Sequence, residues 1–161
     1  MPEKSKLKIS LYACLIIMSL VGIYWLPAHI AANLAPSLPY HVFFLRKRPD
    51  DRDIRKGSLV MFVHDHPMAA SLKTKNLVKI VSCIEAESLR VEDRKYYCGE
   101  RYLGVAKTHS LTGVPVKNFV FNGRIPSGFL FVMGTNKDSY DSRYFGFVSR
   151  KEVTAIAYPV F

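Results

Sequence analysis

Two side chains in this sequence could act as a nucleophile and its base. Ser37 lies in Ala35-Pro36-Ser37-Leu38-Pro39, and Lys79 lies in Leu77-Val78-Lys79-Ile80-Val81. A serine hydroxyl is a weak nucleophile until a base takes its proton during attack on a carbonyl. A neutral lysine amine can do this. A free lysine has a pKa of about 10.4, so holding it half neutral at pH 7 costs about 4–5 kcal/mol. Burial among apolar groups disfavours the ammonium form and can supply that shift. Leu77, Val78, Ile80 and Val81 provide such surroundings. On a strand, Lys79 would share a face with Leu77 and Val81, opposite Val78 and Ile80. The plainer alternative for Lys79 is a strand-edge position with its amine snorkelling to water. Pro36 and Pro39 bracket Ser37 and favour a fixed, extended segment. A later run, Gly134-Thr135-Asn136-Lys137-Asp138-Ser139-Tyr140-Asp141-Ser142-Arg143, is dense in polar side chains. Taken alone, it reads as a polar turn.

Other chemistries find less support. His64 and His66 flank Asp65 without a full ligand set, so a polar turn before Pro67 is expected rather than a metal site. His109, in Lys107-Thr108-His109-Ser110, has no nucleophile setting of the Ser-His-Asp kind. No Gly-rich phosphate loop or βαβ rhythm is present, so neither a cofactor nor a metal is expected. Cys14 reads as a small apolar filler. Cys83 and Cys98 could form a disulfide in an oxidising compartment, the alternative being two reduced thiols. Closing that loop would contribute about 3 kcal/mol.

The elements that must position Ser37 and Lys79 begin with a membrane-length segment. Residues 9–28 contain no Asp, Glu, Lys or Arg and span about 30 Å as a helix. Lys4, Lys6 and Lys8 precede the segment, opposed only by Glu3, and Tyr24 and Trp25 sit near its far end. The positive-inside rule then gives a cytoplasmic tail at 1–8, an anchor at 9–28 and an exported domain at 33–161. A cleaved signal peptide and a buried soluble helix are the alternatives. Pro27 is placed to end or bend the helix. The chain carries +10 overall, with a pI near 9.6. Arg46, Lys47, Arg48, Arg52, Arg55 and Lys56 cluster beyond the anchor, diluted by Asp50, Asp51 and Asp53. This surface could lie over anionic lipid headgroups, or it could be a solvated basic loop. No recognised domain motif accompanies the charge, so no specific nucleic acid partner is expected.

Residues 33–161 suffice for one compact domain with its own core. Short apolar runs rich in β-branched and aromatic residues alternate with Gly, Pro and charge, which predicts a mostly β domain. Strands are expected at 59–63, 77–84, 88–92, from 96, at 129–133, 145–148 and 154–158. Part of the apolar content could form an exposed surface beside a bilayer; ordinary core is the alternative.

At these residues the chain resembles the bacterial type I signal peptidases, the serine-lysine peptidase family. Within that family it is most like the TraF-type conjugal-transfer branch, which processes pilin precursors. Asn33 to Pro39 resembles that branch's segment around its nucleophile. Gly57-Ser58-Leu59-Val60 with Phe62 resembles the next block, and Val78-Lys79-Ile80-Val81 resembles the general-base block. Gly134, Asn136, Ser139, Asp141, Ser142, Arg143, Gly146 and Val148 match the most specific block, and Phe121-Asn122-Gly123, Pro126 and Gly128 match its lead-in. The resemblance implies a signal-peptidase-like β domain and a Ser37–Lys79 dyad. It further implies that Ser139 orients the Lys79 amine, that Asp141 and Arg143 pair to hold the loop, and that the Ser37 N–H lies in the oxyanion hole. It depicts a single-pass protein of the bacterial inner membrane, with the cytoplasmic side at the N-terminus and a periplasmic domain. The expected partner is an extended peptide segment of a membrane-associated precursor such as a pilin, together with membrane lipid and a conjugative secretion complex. A general type I signal peptidase and an inactive, membrane-anchored scaffold are the rival functions. The sequence departs from the family pattern at Thr135, Ala35, Leu38, His41 and Glu85-Ala86. These changes bear on substrate and loop geometry more than on the dyad.

Overall fold

The computed structural model describes residues 3–32, 37–64 and 75–160. The first element, α1 (Glu3–His29), is the one helix among the described residues long and apolar enough to cross a membrane. Its Leu, Ile and Val side chains are exposed around the whole circumference. A helix apolar on every side suits a surrounding medium as apolar as itself. Pro27 lies inside the helix, which ends at His29.

The remainder is built from two antiparallel sheets. The larger has seven strands: β1 (Ile30–Ala32), β2 (Val42–Lys47), β3 (Leu59–Val63), β4 (Asn76–Ile84), β9 (Phe129–Met133), β10 (Val148–Ser149) and β11 (Val153–Pro159). Their spatial order is β1-β2-β11-β3-β4-β9-β10. The smaller sheet is inserted between β4 and β9. It contains β5 (Ser88–Glu92), β6 (Lys95–Cys98), β7 (Arg101–Val105) and β8 (Gly123–Arg124), in the order β7-β6-β5-β8. The domain is predominantly β, as the short apolar runs predict.

Both faces of the large sheet are covered. Val60, Phe62, Leu77, Val81, Val132 and Ile156 form a core on one side, and Phe43, Leu45, Ala155 and Ala157 anchor one on the other. A third cluster, around Leu89, Tyr96, Ile125 and Phe131, joins the two sheets. Each buried Val, Leu, Ile or Phe among them stabilises the fold by about 1.5–3 kcal/mol. Cys83 and Cys98 form a disulfide with Cα atoms 5.8 Å apart, which ties β4 to β6 and so one sheet to the other. The β5–β6 hairpin turns on Asp93 and Arg94, both at positive φ (46° and 66°), the backbone that a tight two-residue turn requires.

Two expectations need correction. Residues 145–148 are not a strand. Phe145 closes the short helix α2 (Ser142–Phe145), Gly146 turns at φ 86°, and only Val148–Ser149 pairs with β9. Asp141 caps α2 by accepting from Arg143 N, and this local bond outweighs the β propensity of the aromatic run. Arg46 and Lys47 are not part of a loop but the last residues of β2. The expected turn at His66 and Pro67, and the contribution of Ala35 and Pro36 to the Ser37 segment, lie outside the described residues.

Candidate active site

Strand alternation governs Lys79. Along β4, Leu77, Lys79, Val81 and Cys83 are buried, while Val78, Ile80, Ser82 and Ile84 are half-buried. Lys79 is only 3% exposed and lies opposite Val60 of β3, on the face of Leu77 and Val81. Burial pulls its pKa down to about 8. The negative charge of Asp141 opposes that shift, and Arg143 adds to it. The Lys79 Nζ donates to Ser139 Oγ at 2.9 Å.

Ser139 belongs to a loop held from several directions. Its N–H donates to Asn136 O at 3.0 Å. The fully buried Asp141 carboxylate accepts from Gly134 N (3.0 Å), from Arg143 N (3.2 Å), and from Arg143 Nε and Nη2 (2.8 Å each). Arg143 also donates to Ser139 O at 3.3 Å and to Val105 O of β7 at 2.8 Å. Ser142 Oγ accepts from Val132 N at 2.9 Å. Removing one member of a buried ion pair of this kind typically costs about 3–5 kcal/mol, because the other charge is left uncompensated.

The same loop receives Ser37. The Ser37 carbonyl accepts from Thr135 N at 3.0 Å and from Asn136 N at 3.3 Å, and the residue is 6% exposed. Gly134 stands between Ser37 and Ser139. A Cβ at position 134 would collide with Ser139 Oγ and lie 2.6 Å from Ser37 O, so no larger residue fits there. Residues distant in sequence thus converge on one loop: the Ser37 backbone, the Lys79 amine, and Ser139, Asp141 and Arg143. Cys83 and Cys98 lie apart from it, in the cluster between the sheets.

His109 is not part of this constellation. It lines a cavity of about 280 Å³ next to Ser139, together with Lys107, Leu111, Val116, Tyr140 and Tyr144. His64 packs its ring against Phe145, with centroids 4.2 Å apart. Two supporting contacts have no signature in the sequence. The Tyr96 hydroxyl, with one hydrogen to give, lies 2.5 Å from Phe119 O and 2.9 Å from Arg143 O, and Lys107 pairs with Asp138, the neighbour of Ser139. Only the spacing of the 134–143 run draws attention to the loop they support.

The family model described as "Signal peptidase, peptidase S26" matches residues 4–161. Among solved structures, the chain is similar to a signal peptidase I from Enterococcus faecalis. The two are 22% identical, the similarity covers 64% of this chain and 95% of that one, and the TM-score is 0.40. No curated protein matches the chain. The family match takes in the apolar helix, both sheets and the Gly134–Arg143 loop, and by its extent the chain belongs to the signal peptidase family, peptidase S26.

Proposed function

We propose that the chain is a membrane-anchored serine endopeptidase that cleaves exported precursors, with Ser37 as nucleophile and Lys79 as general base. The observation that supports this best is the buried Lys79 amine, with its pKa near 8 and its hydrogen bond to Ser139, on the loop that also binds the Ser37 carbonyl. An amine shifted this far has already met about 3 kcal/mol of the cost of losing its proton. In the proposed cycle the substrate lies extended beside the site. Lys79 takes the Ser37 proton as the hydroxyl attacks the scissile carbonyl. The resulting ammonium protonates the departing amine, and Lys79 then activates the water that hydrolyses the acyl-enzyme. The Ser37 N–H stabilises the developing oxyanion. Ser139 holds the amine in place, and the Asp141–Arg143 pair holds Ser139.

In this reading residues 1–8 are cytoplasmic, 9–28 form the anchor and 33–161 form the domain on the opposite side, in keeping with the N-terminal lysines. Family membership favours the removal of signal peptides from exported precursors as the general activity. The narrower alternative is maturation of a pilin precursor in conjugative transfer. Its support is the resemblance around Ser37 and Gly134–Arg143 together with departures such as Leu38 and Thr135. There, displacement of the acyl-enzyme by an amine instead of water would close a ring.

The test is cleavage by purified wild type, Ser37→Ala and Lys79→Ala proteins, each offered an ordinary secretory precursor and a pilin precursor. Both variants are expected to insert and fold but not to cleave. Normal processing by either would remove the dyad. Support of secretion-complex assembly by both variants, with no cleavage by wild type, would favour a scaffold. The preferred precursor separates the two peptidase readings.

A further inference from the structure

The end of β2 and the turn after it carry an unassigned cluster of cations whose position follows from strand register. His29 passes directly into Ile30, so no linker separates α1 from β1. Ile30 pairs with Phe44 and Ala32 with Val42. Because β1 leads away from the helix, its antiparallel partner β2 runs back toward it. Residues after Phe44 therefore lie on the helix side of Ile30. The Phe44 ring sits 6.1 Å from Trp25 and 6.0 Å from His29. Trp25 closes the apolar stretch, and aromatic rings in that position settle at headgroup level. Arg46 is on the same strand face as Phe44 and about 7 Å further toward the helix, followed by exposed Lys47 and Arg48.

Beside it is an open recess of about 490 Å³ whose walls include Arg46, Arg52, Arg55, Ser58 and Tyr158. Asp53 is the one carboxylate on that wall among the described residues; it pairs with Arg46 at 2.5 Å and steadies its guanidinium. Arg55 Nε donates to the Arg52 backbone carbonyl at 2.7 Å, which holds the Arg55 guanidinium over the turn, and both arginines line the recess. Three guanidinium groups against one carboxylate leave a net positive recess, and guanidinium forks bind phosphate oxygens in pairs.

We propose that this recess binds the phosphate of an anionic phospholipid headgroup in the leaflet through which α1 emerges. The inference rests on reading α1 as a membrane anchor. It gives the basic cluster a specific ligand and a specific set of residues.

The test uses the full chain in nanodiscs of phosphatidylcholine mixed with phosphatidylglycerol. The readout is enrichment of phosphatidylglycerol in the retained lipid shell, measured by native mass spectrometry. Enrichment is expected to fall about five-fold for each arginine neutralised, so Arg52→Gln with Arg55→Gln loses roughly 25-fold. The pair Arg52→Lys with Arg55→Lys keeps the charge but not the forks and recovers only part of the enrichment. Lys117→Gln with Arg124→Gln, an equal charge change elsewhere on the surface, leaves it intact. An equal loss in that control would show a diffuse charge effect and overturn the site. Displacement of the lipid by millimolar inorganic phosphate would show a site for the free ion and overturn the lipid assignment. If α1 were not an anchor, the chain would fail to co-float with pure phosphatidylcholine vesicles, a result separable from loss of phosphatidylglycerol selectivity.

Discussion

If Lys79 is the general base, the rate must follow the fraction of its amine that is neutral. With a pKa of about 8, that fraction is roughly one tenth at pH 7 and nine tenths at pH 9, so kcat/KM should rise about ten-fold across this interval. The shift is caused chiefly by burial, and Val60 lies directly opposite Lys79 across the β3–β4 pair. Val60→Thr places a hydroxyl beside the amine at nearly constant shape and partly resolvates the ammonium. The limb should then move upward by about one pH unit, equivalent to about 1.4 kcal/mol, with the rate at pH 7 falling roughly ten-fold. Above about pH 10 the variant and wild type should converge, because both amines are then neutral. The assay is cleavage of an internally quenched precursor peptide by reconstituted enzyme from about pH 6 to about pH 10. A profile that is flat across this range, or one with a histidine-like inflection near 6.5, would refute the lysine-base argument. So would a Val60→Thr limb that stays in place while the maximum rate falls.

Three further outcomes can be checked. Lys79→Met should abolish cleavage yet raise stability at pH 7 by roughly 2–3 kcal/mol, since a depressed folded-state pKa penalises the fold below about pH 8; the penalty fades as pH rises from about 8 toward 10.4, so the gain seen in denaturant melts should shrink over that window. Gly134→Ala should lower kcat by about 100-fold or more, because its Cβ displaces Ser139 Oγ and Ser37 O, while the circular dichroism spectrum keeps its β signature. Cys83→Ala with Cys98→Ala should cost about 3 kcal/mol in urea unfolding and leave the pH of half-maximal rate unchanged, since the bridge pins the sheets together away from the Ser139 loop.

The strand carrying Lys79 was legible as an apolar, β-branched run, and strand geometry then set Lys79 on the face of Leu77 and Val81, as the alternating burial along β4 bears out. The apolar runs at Leu59–Val63 and Phe129–Met133 were legible from their β-branched and aromatic content, although only the first alternates in burial and Leu130 to Met133 are all buried. The strand at Val42–Lys47 was not, because its exposed end is basic and merges with the charged turn that follows. The run from Phe145 to Val148 misled because a capping carboxylate and a glycine turn act locally, against the average preference of the aromatic residues. The Lys79–Ser139 hydrogen bond joins residues 60 apart, and spacing alone does not predict such a contact. Family resemblance supplied the expectation of that bond. Neither residue type nor spacing announced the Tyr96 and Lys107 contacts that brace the loop.

The direct passage from His29 to Ile30 has a mechanical consequence. If α1 is the anchor and the domain cleaves as proposed, a catalytic body joined to its stalk without slack would not swing freely over the lipid plane, and its cleft would work at one set height, like a cutter on a fixed post. Peptides would then be selected partly by how far their cleavable bond stands from the hydrocarbon edge. A few glycines added after His29 would relax that ruler and broaden the positions cut.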